Sequence, residues 1–82
     1  MCVAANKVQG IICGTSYNLE VARLLKEHNN ANIITLGSDY INKKEAIEMI
    51  DVWRNATFLE GIYAKRIDII KKYEEGVEYD NL

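Results

Sequence analysis

Two short segments, "GIICGTS" (10–16) and "ANIITLG" (31–37), are apolar for most of their length, rich in isoleucine, and closed by serine or glycine. A strand with one wet face would alternate polar and apolar residues, so runs of this kind suit strands buried on both faces. Between them, "NLEVARLLKEHN" (18–29) changes to a helical period. Val21, Ala22, Leu24, Leu25 and His28 fall on one side, with Arg23, Lys26 and Glu27 mostly elsewhere. Buried strand, amphipathic helix, buried strand is the repeating unit of a parallel sheet clad in helices. The constraint is severe, because two parallel strands alone leave two open edges and cannot bury both faces economically.

The remaining segments extend the pattern without adding a strand. Met1 to Val8 reads as the end of a helix, with Gly10 as its stop. "NKKE" (42–45) has the form of a capping box, in which Asn42 accepts from the new helix and Glu45 reaches back. Ala46, Ile47, Ile50 and Trp53 are the expected inner face of that helix. After "NATF" (55–58) a last helical segment runs from roughly 59 to 75, before a polar, acidic tail. The expected fold is therefore α/β: the C-terminal half of a doubly wound (Rossmann-like) parallel sheet, with two strands and about three to four helices. Residues 1–76 form this partial domain and 77–82 the tail. Such a chain is either a truncated reading frame or one that completes its sheet by association, with another copy of itself or with a missing N-terminal half.

Composition narrows the function. With 82 residues there is one domain at most, and 49% apolar with 27% charged residues is the balance of a soluble globular protein. A formal net charge of -2 supplies no basic field for nucleic acid or membrane. The expected compartment is the cytoplasm, since the N-terminus lacks the apolar region of a signal peptide and no segment reaches the length of a membrane span. Cys2 and Cys13 are too far apart for a Cys-x-x-Cys pair, and one histidine with two scattered cysteines does not make a four-ligand zinc site. Each cysteine reads as a small buried apolar residue, with no disulfide expected. Trp53, at helical spacing, reads as core rather than as a stacking platform with Tyr17 and Tyr40.

Four blocks carry a resemblance: "VAANKVQGI" (3–11), "KEHNNANIITLGS" (26–38), "AIEMIDVWRNATF" (46–58) and "KRIDII" (65–70). In this order and spacing the chain resembles the C-terminal half of the type B ribose-5-phosphate isomerases and the related galactose-6-phosphate isomerase subunits. The match runs without gaps from Met1 to about Lys72. The resemblance implies a larger parallel sheet, dimeric active sites, and aldose–ketose isomerisation of a sugar phosphate with no metal or other cofactor. That reaction needs an acid–base group for ring opening, a base for the carbon proton, and a cationic grip on phosphate.

By position, the resemblance makes His28 the ring-opening residue, and an imidazole suits it because it gives and accepts protons near neutral pH. It makes Asn29 a ligand of substrate oxygens and Arg66 a phosphate ligand in a neighbouring subunit's site. The competing reading of the same residues is structural. His28 caps its helix, Asn29 or Asn30 takes the left-handed conformation, and Arg66 is a solvated charge pairing with Glu60 or Asp68. Departures from the family pattern stand out. Where members carry "GGRHQ-x-R" this chain has "EGIYAKR" (60–66), with Ile62 and Tyr63 in place of arginine and histidine. Ile12 and Asp39 stand where many members have arginine, and Lys65 is a point charge without the guanidinium fork. The family's catalytic base lies in a glycine-rich loop before the first helix, and its substrate-binding aspartate and histidine at the end of the first strand; neither falls in these residues. "CGT" (13–15) lies in a strand and is a chance likeness to that loop. The alternative to an isomerase half is therefore a non-catalytic remnant or assembly module of the same fold.

Overall fold

The computed structural model describes residues 1–37 and 39–78. In chain order the elements are α1 (Cys2–Asn6), β1 (Cys13–Ser16), α2 (Leu19–Glu27), β2 (Ile33–Leu36), α3 (Lys43–Asn55) and α4 (Ile62–Glu74). β1 and β2 pair in parallel, in the register Cys13–Ile33, Gly14–Ile34, Thr15–Thr35 and Ser16–Leu36. Two parallel strands and four helices match the expected half of a doubly wound sheet. Of the tail expected over 77–82, residues 79–82 lie outside the described residues.

Side-chain amides fasten the short sheet where backbone pairing runs out. Asn32 accepts from the Ile12 N–H at 2.9 Å and donates to the Gly10 carbonyl at 3.0 Å, which locks the approach to β1 against the approach to β2. On the other edge of β1, Asn6 accepts from the Cys13 N–H at 2.7 Å and donates to the Cys13 carbonyl at 2.9 Å. One amide thus does at Cys13 what a third strand would do, so part of an otherwise open edge is satisfied. The Cys2 thiol also donates to that carbonyl, at 3.0 Å. Burial pushes the Cys13 thiol up from its ordinary pKa, and the adjacent Cys2 thiol adds to the effect, so Cys13 stays protonated. Cys13 is buried as expected, whereas Cys2 is only half-buried.

The helices start and stop where their local chemistry dictates. Asn18 caps α2 by accepting from the Val21 N–H, and Asn42 and Glu45 form the complete capping box of α3. At the end of α4, Gly76 takes φ 89° while Val77 N–H reaches the Lys72 carbonyl at 3.0 Å and Gly76 N–H the Tyr73 carbonyl at 3.1 Å. This pair of bonds is the Schellman termination, which requires a left-handed residue that glycine adopts without strain.

Coverage of the sheet is uneven between its faces. Gly14 and Ser16 point to one face: Gly14 lies against Leu25 of α2, and the buried Ser16 hydroxyl lies 3.7 Å from the Met49 sulfur of α3. On the opposite face Cys13 is buried, but Thr15 and Ile33 remain exposed. The α3 inner face is also displaced from expectation. Met49 is buried, with Ala46, Val52 and Trp53 half-buried beside it, while Ile47 and Ile50 are 51% and 41% exposed. The helix has α2 and one strand end to pack against, so only a narrow stripe is covered. Trp53 does turn partly inward, with the Lys26 ammonium 5.2 Å from its ring centroid, although its buried indole N–H has no partner among the described residues.

The resulting molecule is a slab of 45 × 27 × 14 Å. Its Cα radius of gyration is 14.0 Å, where a compact chain of this length would have about 12 Å. It exposes 6073 Å², against about 5,000 Å² for a compact monomer of its mass. The excess, about 1,000 Å², is comparable to the roughly 800 Å² that one partner contributes to a standard interface. The 82-residue chain expressed alone is therefore expected to self-associate. Light scattering should give a mass above the 9.4 kDa monomer. A monomeric mass with a cooperative, concentration-independent melt would contradict this.

Candidate functional site

His28 lies immediately after α2, as its C-terminal cap. Its backbone N–H donates to the Leu24 carbonyl at 2.8 Å, and Asn30, two residues on, takes φ 50° to turn the chain toward β2. The structural features expected of a helix-capping histidine are therefore present, with Asn30 rather than Asn29 in the left-handed position. They leave the imidazole itself free for another task. Among the described residues the ring has no hydrogen-bond partner. Instead it stacks on Tyr63, with ring centroids 4.2 Å apart and planes within 9° of parallel.

Tyr63 reaches that position because α4 is tied down at both ends. Before it, the Leu59 N–H donates to the Glu27 carbonyl at 2.9 Å, attaching the connector to the last residue of α2. Gly61, at φ 74° and ψ -125°, then turns the chain into α4 in a region open to glycine and strained for other residues. At the far end, the Glu74 carboxylate accepts from the Gly10 N–H at 2.7 Å, and the Glu74 carbonyl from the Gln9 amide at 3.2 Å. Along α4, positions 63, 66, 67 and 70 form one stripe at helical spacing.

A cavity of about 330 Å³ lies where this stripe meets the end of α2, lined by Ile12, His28, Asn29, Tyr63, Arg66, Ile67 and Ile70. The three residues singled out in the sequence, His28, Asn29 and Arg66, thus line one concavity within one chain, where the resemblance implied that Arg66 serves a neighbouring subunit's site. Asp68, a candidate partner for Arg66, instead pairs with Lys72 at 3.1 Å, and among the described residues Arg66 makes no ion pair. Lys65 does not line the cavity, and Ile62 is exposed. Ile12 does line it, giving an apolar wall where the family pattern often has a cation.

Tyr63 as the partner of His28, and the isoleucine wall, were not legible as such in the sequence. The signal available was the i, i+3, i+4, i+7 spacing of Tyr63, Arg66, Ile67 and Ile70. What the stripe faces depends on the turn at Gly61. A larger cavity, of about 400 Å³, lies between the starts of α2 and α3, lined by Tyr17, Asn18, Leu19, Glu20, Glu45, Glu48 and Met49. It gathers three carboxylates and none of the predicted site residues. No group of three or more histidine, cysteine or acidic residues suited to a metal ion occurs among the described residues, and no described helix is long and apolar enough to cross a membrane.

A parallel α/β half-domain with a histidine, an asparagine and an arginine on one concavity defines the class, and comparison with known proteins makes it specific. The chain belongs to the Ribose/Galactose Isomerase family, whose pattern matches residues 1–70. It is 36% identical over 78 residues to the probable ribose-5-phosphate isomerase B of Mycoplasma genitalium, covering 95% of this chain and 51% of that protein. It is 37% identical over 73 residues to the ribose-5-phosphate isomerase B of Mycobacterium leprae, covering 88% of this chain and 45% of that protein. Among solved structures, the M. genitalium isomerase with bound ribulose 5-phosphate superposes with a TM-score of 0.87 at 36% identity, covering 90% of this chain and 49% of that one. The Clostridium thermocellum isomerase B also gives 0.87, covering 94% and 52%. The chain spans about half the length of the relatives it matches.

The placement of α4 by Gly61 yields a direct expectation. Gly61→Ala puts a side chain on strained backbone, at a cost of about 1–3 kcal/mol. It should loosen the His28–Tyr63 stack while leaving β1, α2 and β2 intact. Proton NMR of the single histidine, read beside the circular dichroism, checks this.

Proposed function

We propose that this chain supplies the ring-opening and phosphate-binding half of a sugar-phosphate aldose–ketose isomerase site, acting on ribose 5-phosphate or a close relative. The observation that carries the reading is the shared cavity of His28, Asn29 and Arg66 in a chain of this family. In the cyclic sugar, ring opening requires a proton on the ring oxygen as the anomeric hydroxyl loses one. An imidazole with unoccupied nitrogens at a cavity wall is suited to that exchange. Asn29 beside it offers an amide to the sugar hydroxyls. Arg66, unpaired within the described residues, offers the planar donor fork that matches a phosphate. No metal or other cofactor enters this reading.

The carbon proton needs a separate base, which the family resemblance places in a glycine-rich loop outside these 82 residues. The site is complete only when a second segment or subunit brings that loop to the cavity. The exposed sheet face and the excess surface support an assembled state, as a homo-oligomer or with an N-terminal half. A second reading, a non-catalytic remnant or assembly module, is favoured by Ile12 on the cavity wall and by Arg66 as the one arginine or lysine among the described residues that line it.

Two measurements test the proposal. The 82-residue chain alone should not turn over ribose 5-phosphate, because general-base catalysis by itself contributes roughly 10²–10⁴-fold. Saturable turnover by the purified chain would contradict it. Fusing the N-terminal half of a type B isomerase ahead of Met1 should restore activity. In that hybrid His28→Asn should lower turnover of the cyclic substrate far more than that of an aldose phosphate too short to cyclise. Equal losses tracking a fall in melting temperature of the kind a lost helix-end charge produces, about 0.3–1 kcal/mol, would leave His28 as structure only.

A further inference from the structure

We propose that Tyr63 is the positioning residue of His28: its ring holds the imidazole plane fixed, so that the nitrogen-bearing edge faces the cavity shared with Asn29 and Arg66. This rests on the reading of His28 as the ring-opening group. Functional histidines are commonly oriented by a hydrogen bond on the second ring nitrogen. Here no described residue supplies one, and the near-parallel stack at 4.2 Å is the contact that remains. Stacking restrains the ring plane while leaving both nitrogens unpaired, which a carbonyl or carboxylate partner would not do. A proton-exchanging group needs that combination: fixed orientation at the substrate and an edge free to take either proton state.

The surroundings fit the assignment. Tyr63 stands one helical turn before Arg66 and Ile67, so the element that carries the cationic end of the cavity also carries the backing for His28. The buried Ile67 seats α4, and the ties at Leu59 and Glu74 set its height. The phenol has no hydrogen-bond partner among the described residues, so the contribution of Tyr63 lies in its ring. Phenylalanine should replace it, and an aliphatic residue of similar bulk should not.

The chain's single histidine makes the test unambiguous. Wild type, Tyr63→Phe and Tyr63→Leu are compared by NMR of the His28 ring protons, with melting temperature alongside. Wild type and Tyr63→Phe should show ring protons displaced by an aromatic ring current, with cross-relaxation to the ring at 63; Tyr63→Leu should lose both. Titration with ribose 5-phosphate should then move the His28 resonances in wild type and Tyr63→Phe over the same concentrations. Tyr63→Leu should need at least about tenfold more, a loss of about 1.4 kcal/mol. Inorganic phosphate, which engages Arg66 alone, should bind all three equally. Three results would overturn the assignment. If wild type lacks the ring-current displacement, the stack is absent, whatever the sugar does. If Tyr63→Leu weakens phosphate and ribose 5-phosphate alike, Tyr63 only seats α4. If ribose 5-phosphate leaves His28 unmoved in wild type while the ring current is present, the ring-opening reading has failed and the stack is structural.

Discussion

The parallel pairing of β1 with β2 spans four residues on each strand, and the placement of α2, α3 and the cavity depends on it. So short a ladder has little cooperativity of its own, since a two-stranded sheet is marginal in water without something packed on it. The sequence compensates with asparagines. Asn32 ties the approaches of both strands together, and Asn6 occupies the Cys13 position on the free edge. Each amide both donates and accepts from two separate atoms, so it can replace a stretch of missing backbone where a carboxylate, which only accepts, could satisfy only part of the pattern. Gly14 then admits Leu25 against the sheet, and α2 settles with its end, and therefore His28, beside the start of β1.

α4 is a different kind of attachment. It is held by two end ties, the buried Ile67 and the His28–Tyr63 stack rather than by a broad apolar face. Much of its surface, including Ile62, Ile69, Ile70 and Tyr73, remains exposed. The cavity sits in the gap that this light contact leaves. A helix packed flush on α2 would have filled that space.

The local signals in the chain were strong where a few neighbouring residues decide the outcome. Both strands, the capping box at Asn42 and the helical segments were legible because capping, β-branching and period act over one or two turns, whereas the Asn18 cap of α2 emerged only from the structure. The inner face of α3 was misjudged for a nonlocal reason. Ile47 and Ile50 are as apolar as the residues that are buried, but no described element packs over them. Periodicity identifies an apolar face, and only the neighbouring layer decides which part of that face is covered.

The candidate site divides in the same way. The family pattern pointed to His28, Asn29 and Arg66 one by one, from residue type and position. Sequence could not say that α4 would bring Arg66 to the same cavity as His28, because that depends on a glycine turn and backbone ties between residues far apart in the chain. Nor could it distinguish the capping role of His28 from a chemical one, and the structure shows that the backbone caps while the ring stacks. The sequence alone determined the elements, their order and the candidate chemistry, since those follow from short-range propensity and residue type. The tertiary structure decided which side chains share a cavity and what holds the imidazole in place, since those follow from contacts more than thirty residues apart.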